Sequence, residues 1–288
     1  MNVALYSKKL RPEQIPEVVG IVKLLLEKNC TLLIWHTLYD DVKSELPNIK
    51  NIETFDEPIN KDSNIDVILS IGGDGTILDT VHLVKRSDIP IAGINVGSMG
   101  FLASIQKDEV SEALNEIIEK RCTTQKRTLL SASFKNHEYM AINEISINKK
   151  DTASMITSSV WVNDQFMYSF RADGIIVATP TGSTAYSMSC NGPIVTPDSN
   201  IFLITPIAPH NLSVRPIVIP DNSIIKIKIE SRENIAIVTV DGKSFNIDND
   251  TIILLRKSEH KVRLIQRLNE NFFSTLRTKL NWGQDIRI

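Results

Sequence analysis

Cysteine is scarce in this sequence. Cys30, Cys122 and Cys190 are scattered through 288 positions with no CxxC pair, which excludes a disulfide-stapled miniature and supplies no structural zinc site. A reducing, cytoplasmic setting is the expectation. The five histidines (His36, His82, His137, His210, His260) show neither HxxxH nor HExxH spacing, and each reads as an ordinary hydrogen-bonded or surface residue. Apolar runs are all short, and the lysines that follow the opening strand-like run stand in the wrong order for a secretory signal. Charge of one sign is missing too. Thirty-two Lys and Arg against 34 Asp and Glu leave a formal net charge of -2, which gives no global attraction to nucleic acid or to an anionic membrane. Two nucleotide signatures are absent: GxxxxGK[ST], with its phosphate-binding lysine, and the dinucleotide fingerprint GxGxxG. There is no internal repeat and no low-complexity linker.

What is present is the composition of a globular chain, 42% hydrophobic and 23% charged, long enough for two domains. The first part has a βαβ rhythm: strands at 2–6, 31–35, 65–71 and 91–95 alternate with helical periods at 13–28, 76 to about 85 and 108–120. Near-continuous apolar strands imply a sheet covered on both faces, hence largely parallel. Beyond about residue 121 the rhythm becomes extended and alternating, at 129–134, 139–148, 155–162, 166–170, 224–229 and 235–240. Asn163-Asp164 and Asp241-Gly242 are hairpin-turn pairs between such runs. The expected fold is an α/β N-terminal domain, Rossmann-like with a mostly parallel sheet, and an all-β C-terminal sandwich. A helical period at 269–280 packs back onto another element. The expected division is 1–122 joined by 269–288, and 123–268.

Directly after the apolar strand ending at Ile71 comes Gly72-Gly73-Asp74-Gly75-Thr76, and directly after that a helical pattern. Glycines allow a phosphate to approach the backbone, and N–H groups at a helix start point donors at an anion. A carboxylate beside bound phosphates then needs a task, as a cation ligand or a proton acceptor. The same letters also suit a tight strand-to-helix turn capped by Asp74 or Thr76, and both readings stand. A second glycine cluster, Gly93, Gly97 and Gly100, follows the next strand and forms either a second wall of the same crevice or an irregular loop.

Further on, Asn143-Glu144 interrupts an otherwise apolar strand. A buried unsatisfied carboxylate or amide costs about 1 to 3 kcal/mol, so the pair faces either a ligand or solvent at a strand edge. Arg171-Ala172-Asp173-Gly174 leads through an apolar strand into Thr179-Pro180-Thr181-Gly182-Ser183-Thr184-Ala185-Tyr186-Ser187, a bend dense in hydroxyls. Ser183-Thr184 can start a helix whose free N–H groups receive an anion or a ribose. Tyr186 either stacks on a base or simply packs. Asp173 either accepts from a small molecule or pairs with Arg171.

These segments together resemble the bacterial NAD kinase family: GGDGT at Gly72 to Thr76, the NE dipeptide at Asn143-Glu144, and Asp173-Gly174 followed by TPTGSTAYS from Thr179 to Ser187. Pro209-His210 through Ser213-Val214-Arg215-Pro216 adds a further similar segment. GGDGT alone is shared with a wider superfamily of lipid and sugar kinases, whereas TPTGSTAYS joined to the upstream NE is specific. The resemblance implies Mg-dependent transfer of the ATP γ-phosphoryl group to the 2′-hydroxyl of the adenosine ribose of NAD. It implies Asp74 as proton acceptor and Gly72, Gly73, Asp74, Gly75 and Thr76 at the ATP phosphates, with magnesium carried by ATP. Asn143, Glu144, Asp173, Thr184, Ala185, Tyr186, Ser187, Met188 and Ser189 would line the NAD site. Arg171 and Ala208 would join from the same or a neighbouring subunit of a homo-oligomer, a dimer or tetramer. The C-terminal segment would return to the first domain. One departure is visible: some members carry histidine where Ser154 stands here.

Overall fold

The computed structural model describes residues 1–46, 52–60, 62–84, 86–97, 100–150, 154–268 and 270–281. Lys85 at the end of the second expected helix, Ser98 and Met99 of the second glycine cluster, and residues 269 and 282–288 of the C-terminal segment lie outside this set. The chain divides into two compact units, Met1–Lys126 with Val262–Ile288, and Arg127–Lys261.

In the first unit the order is β1 (Asn2–Tyr6), α1 (Ile15–Glu27), β2 (Thr31–Trp35), α2 (His36–Val42), β3 (Ile52–Phe55), β4 (Val67–Ile71), α3 (Asp74–Val84), β5 (Ile91–Ile94) and α4 (Val110–Ile118). The strands pair in parallel in the order β3-β2-β1-β4-β5. Val3 lies opposite Leu32 on one side and Val67 on the other. All five residues of β4 are buried and all four of β5, as uninterrupted apolar strands require. Val18, Val22 and Leu25 of α1, with Ala113, Leu114 and Ile117 of α4, cover the sheet at helical spacing. On α3, Thr80 donates to Ser70 of β4 at 2.8 Å in a buried contact. The expected helix at 108–120 is shorter than its periodicity suggests, because 107–109 form a 3-10 turn before α4 begins.

In the second unit follow β6 (Thr123–Phe134, begun in the first unit), β7 (His137–Ala141), β8 (Glu144–Lys149), β9 (Ile156–Val162), β10 (Gln165–Ala172), β11 (Gly174–Ala178), α5 (Tyr186–Ser189) and β12 (Ile201–Ile207). They are succeeded by β13 (Ile217–Pro220), β14 (Ile225–Glu230), β15 (Ala236–Val240), β16 (Lys243–Ile247) and β17 (Ile252–Gln266). One antiparallel sheet runs β13-β12-β11-β8-β15-β16. A second runs β10-β9-β14-β17, and β6 and β7 form a hairpin. A single apolar core draws on both layers, including Ile145, Val177, Phe202 and Val238 from the first and Val160, Ile227 and Leu255 from the second. That is a sandwich. Both hairpin pairs take the left-handed conformation such turns need: φ is 50° and 61° at Asn163-Asp164 and 43° and 88° at Asp241-Gly242.

The run at 139–148 is not one strand. It breaks at Ile142-Asn143, with β7 and β8 on either side pairing in different layers. The break is what places Asn143 and Glu144 at a strand start, where polar residues have a use. β17 carries the chain back into the first unit, where Leu264 pairs in parallel with Ile91 of β5. Arg267, nearly buried, then reaches Glu109 at the start of α4 and Glu112 and Glu116 within it, at 3.4, 3.1 and 2.8 Å. The chain ends its described course in α6 (Phe272–Leu280), capped by Asn271, whose Oδ1 accepts from the Ser274 N–H at 2.9 Å.

Candidate functional site

The strand order of the first unit reverses at β1 and β4: β2 and β3 extend one way from β1, β4 and β5 the other. In open parallel sheets the crevice beyond the carboxyl ends of strands at such a reversal is where ligands sit. Gly72 to Thr76 leave β4 at that place. Lys8, just past β1, arrives there too, its ammonium 4.0 Å from where a side chain on Gly75 would begin and 2.7 Å from the Asp79 carboxylate. The glycines differ in their reasons. Gly72 has φ of 153°, and a Cβ there would meet the Thr76 hydroxyl at 2.2 Å, so Gly72 and the buried Thr76 shape the turn. Gly73 has open space where its Cβ would be. The Gly72 N–H is held by the Ile94 carbonyl and the Thr76 N–H by that of Gly73. The N–H groups of Gly73, Asp74 and Gly75 have no acceptor among the described residues, which leaves the first turn of α3 its donors.

The Asp74 carboxylate faces the second glycine cluster. It accepts from the N–H groups of Phe101 at 2.6 Å, Leu102 at 2.9 Å and Ala103 at 3.1 Å. A side chain on Gly100 would begin 1.8 Å from its Oδ1, and one on Gly93 would strike Ile77 at 2.5 Å. The two glycine clusters therefore meet around one carboxylate. A carboxylate has about four acceptor positions; among the described residues three are filled, two of them on Oδ1, and Oδ2 keeps one.

In the second unit, the break between β7 and β8 is held by a residue read from sequence only as part of a turn. The Asp241 carboxylate, buried, accepts from Ile142, Asn143 and Glu144 N–H at 2.6, 3.0 and 3.1 Å. The bend locks onto the same point. The Thr179 hydroxyl donates to the Ile142 carbonyl at 2.5 Å and its N–H to that of Asn143 at 2.9 Å, while a Cβ on Gly182 would lie 2.1 Å from the Asn143 oxygen. Asn143-Glu144 and the hydroxyl-rich bend, far apart in sequence, are thus one packed structure. The bend starts no long helix. It makes a 3-10 turn at Thr181–Thr184 and then the single turn of α5, with its entry held by Thr179 and Gly182 against Ile142 and Asn143, just ahead of β8.

Glu144 lies against that turn with the Tyr186 N–H donating to it, and its Oε2 is buried without a partner among the described residues. Burial first, then the neighbouring Asp241 charge, pushes its carboxyl up to about 8, against the pull of the Tyr186 N–H. At Asp241 burial outweighs the three N–H donors and holds the carboxyl at about 6. Tyr186 is partly exposed, and its phenol is raised by burial and by the charges of Cys190, Asp173 and Glu144. Asp173, Glu144 and Tyr186 are therefore neighbours. Asp173 pairs with Lys149 at 2.6 Å, and Arg171 is not that partner. Instead the Arg171 carbonyl accepts from the His210 N–H at 2.9 Å, with its side chain exposed.

Ser189 and Ala208 line one groove of about 810 Å³ with Cys190, Leu212 and Arg215; Ala208 has φ of 42°. Ser187 is turned the other way: its hydroxyl is buried against Thr205 at 2.9 Å, beneath Gly192, where a Cβ would meet it at 2.2 Å. Thr184 donates to the Thr181 carbonyl at 3.3 Å. Ala185 and Met188 are half-buried in the same turn. Sequence reasoning missed Lys8, Lys149 and Asp241, whose partners lie dozens of residues away. The described residues hold no cluster of three or more His, Cys, Asp or Glu side chains suited to a metal ion, and no helix among them is long and apolar enough to cross a membrane.

Comparison with known proteins agrees across the whole chain. Residues 8–122 match the family model of the ATP-NAD kinase N-terminal domain and residues 142–267 that of the ATP-NAD kinase C-terminal domain. The chain is 40% identical over 294 residues to an NAD kinase of Flavobacterium psychrophilum and 38% identical over 293 residues to one of Christiangramia forsetii, with 100% of each chain covered in both cases. Among solved structures it resembles an NAD kinase from Archaeoglobus fulgidus in complex with ATP, with a TM-score of 0.77, 30% identity, and 98% of this chain and 99% of that one covered. It shares its fold with yeast NADH kinase complexed with NADH, with a TM-score of 0.90 at 23% identity, covering 100% of this chain and 89% of that one. The chain belongs to the NAD kinase family.

Proposed function

We propose that the chain transfers the γ-phosphoryl group of ATP to the 2′-hydroxyl of the adenosine ribose of NAD, giving NADP and ADP. The observation that carries this reading is Asp74: a carboxylate held on three N–H groups, with one acceptor position left, in a glycine loop at the reversal point of a parallel sheet.

In this reading the N–H groups of Gly73, Asp74 and Gly75 face the triphosphate, while Gly72 and Thr76 keep the turn in shape. The ribose 2′-oxygen bonds to the γ-phosphorus as the bond from that phosphorus to the β,γ-bridging oxygen breaks. Its proton passes to Asp74 Oδ2, and ADP leaves. Magnesium comes in with ATP as part of the substrate and spreads the charge of the transferring group. Holding the reactants in line supplies most of the acceleration, and a general base typically supplies about 10²- to 10⁴-fold.

NAD is assigned to Asn143, Glu144, Asp173, Thr184, Ala185, Tyr186, Met188 and Ser189. Ser187 contributes through its backbone, since its hydroxyl is engaged with Thr205. With Glu144 raised to about 8, its carboxyl is largely protonated at neutral pH and can donate to a ribose or base acceptor. Arg171 and Ala208 join from the same or a neighbouring subunit of a homodimer or homotetramer. A cytoplasmic location belongs to the same reading, supported by three unpaired cysteines. The test is incubation of purified protein with ATP, magnesium and NAD, followed by enzymatic detection of NADP. NADP formed in step with ADP supports the proposal. Calorimetric binding of NAD with no NADP formed would make the chain a dinucleotide sensor instead.

A further inference from the structure

The glycine loop has a second cation near it besides Lys8, and its charge is not accounted for. Lys279, near the end of α6, places its ammonium 4.6 Å above the centre of the Phe101 ring. The nitrogen is closed off from solvent and has no hydrogen-bond acceptor among the described residues. Phe101 is itself one of the three residues whose N–H groups hold Asp74, so ring and carboxylate are set by one loop. Asp74 is near enough for its charge to favour the charged form of Lys279, opposing burial, which brings the ammonium down to about 8. No ion pair joins the two.

A buried ammonium without an acceptor is unfavourable, and a ring face offsets only part of the cost. Lys8 is in a different position, because Asp79 at 2.7 Å already answers its charge. Lys279 thus sits by the loop that holds Asp74, and Asp74 belongs to the glycine turn whose Gly73, Asp74 and Gly75 N–H groups have no acceptor among the described residues. What completes such a set is a group rich in anionic oxygen. We infer that Lys279, supplied by the C-terminal helix, is a binding residue for the terminal phosphates of the donor triphosphate at the glycine loop. The inference rests on the reading of that loop as the ATP site. It also gives the return of the chain to the first unit a chemical purpose, since α6 delivers a charge that GGDGT lacks.

The test titrates inorganic tripolyphosphate, and separately ATP, into the full-length wild type, Lys279→Arg, Lys279→Met and Lys279→Gln by calorimetry, alongside KM values and melting temperatures. A charge-assisted hydrogen bond lost from a phosphate lowers affinity roughly 10- to 100-fold. That loss is expected for both phosphate ligands in the Met and Gln variants, with the KM for NAD moving less than about twofold and Arg restoring most of the binding. Melting temperature should hold or rise in Lys279→Met, because an uncompensated buried charge has gone; a merely structural lysine would give a fall. Unchanged tripolyphosphate affinity in both neutral variants, no tripolyphosphate binding by the wild type, or equal losses for ATP and NAD would each overturn the assignment. Absence of NADP formation by the wild type would strike the functional reading, and the tripolyphosphate titration is independent of it.

Discussion

Asp74 and Asp241 each spread one carboxylate over three consecutive backbone N–H groups, 101–103 in the first unit and 142–144 in the second. A carboxylate used in this way fixes a loop and is fixed by it, so each position tolerates little change nearby. Gly100→Ala would put a methyl group 1.8 Å from Asp74 Oδ1. The carboxylate must then move, and turnover is expected to fall about 100-fold or more, with the KM for NAD little altered in steady-state assays. Glu144 makes a prediction about pH. Its folded-state carboxyl stands at about 8 against 4.5 for the free group, so the stability it favours is fully present below the lower value and is lost as pH rises toward the upper. Glu144→Gln should therefore lose less stability than the wild type between pH 5 and pH 8, by about 2 kcal/mol in urea unfolding, a figure reduced from the full shift because the residue keeps partial access to solvent. Parallel losses in the two proteins would contradict the raised carboxyl.

At the scale of elements, legibility followed the range of the interactions. The parallel strands of the first unit could be read because β1, β2, β4 and β5 are short unbroken apolar runs beside helices of clear period. Both hairpin turns could be read because Asn, Asp and Gly announce positive φ within two residues. The run at 139–148 was misjudged because Ile142 and Ile145 continue the apolar pattern straight through a sheet change, and the carboxylate that stabilises the break comes from 97 to 99 residues further on. The bend from Thr179 to Ser189 stands out in the sequence by its hydroxyls, yet its packing under Asn143 depends on contacts no local pattern encodes. Gly182 exposes that packing to experiment. Gly182→Ala places a Cβ 2.1 Å from the Asn143 carbonyl oxygen, which should destabilise the fold by about 1–3 kcal/mol. It should also raise the KM for NAD severalfold while the KM for ATP stays level; equal changes in both would show that the bend does not serve NAD alone.

Over the whole molecule, the two halves announce themselves by different rhythms, and β17 is the element that joins the account together. Its 15 residues begin among antiparallel neighbours and end beside β5, after which Arg267 and α6 settle on first-unit elements. The proposed chemistry is concentrated at very few points by comparison, and one of them decides it: Asp74 as the proposed acceptor of the 2′-hydroxyl proton. The direct measurement is the steady-state rate of NADP formation by Asp74→Asn beside the wild type, with ATP, magnesium and NAD varied in turn. The account predicts a fall in kcat of about 10²- to 10⁴-fold with the KM for NAD nearly unchanged. Wild-type turnover by that variant would contradict it.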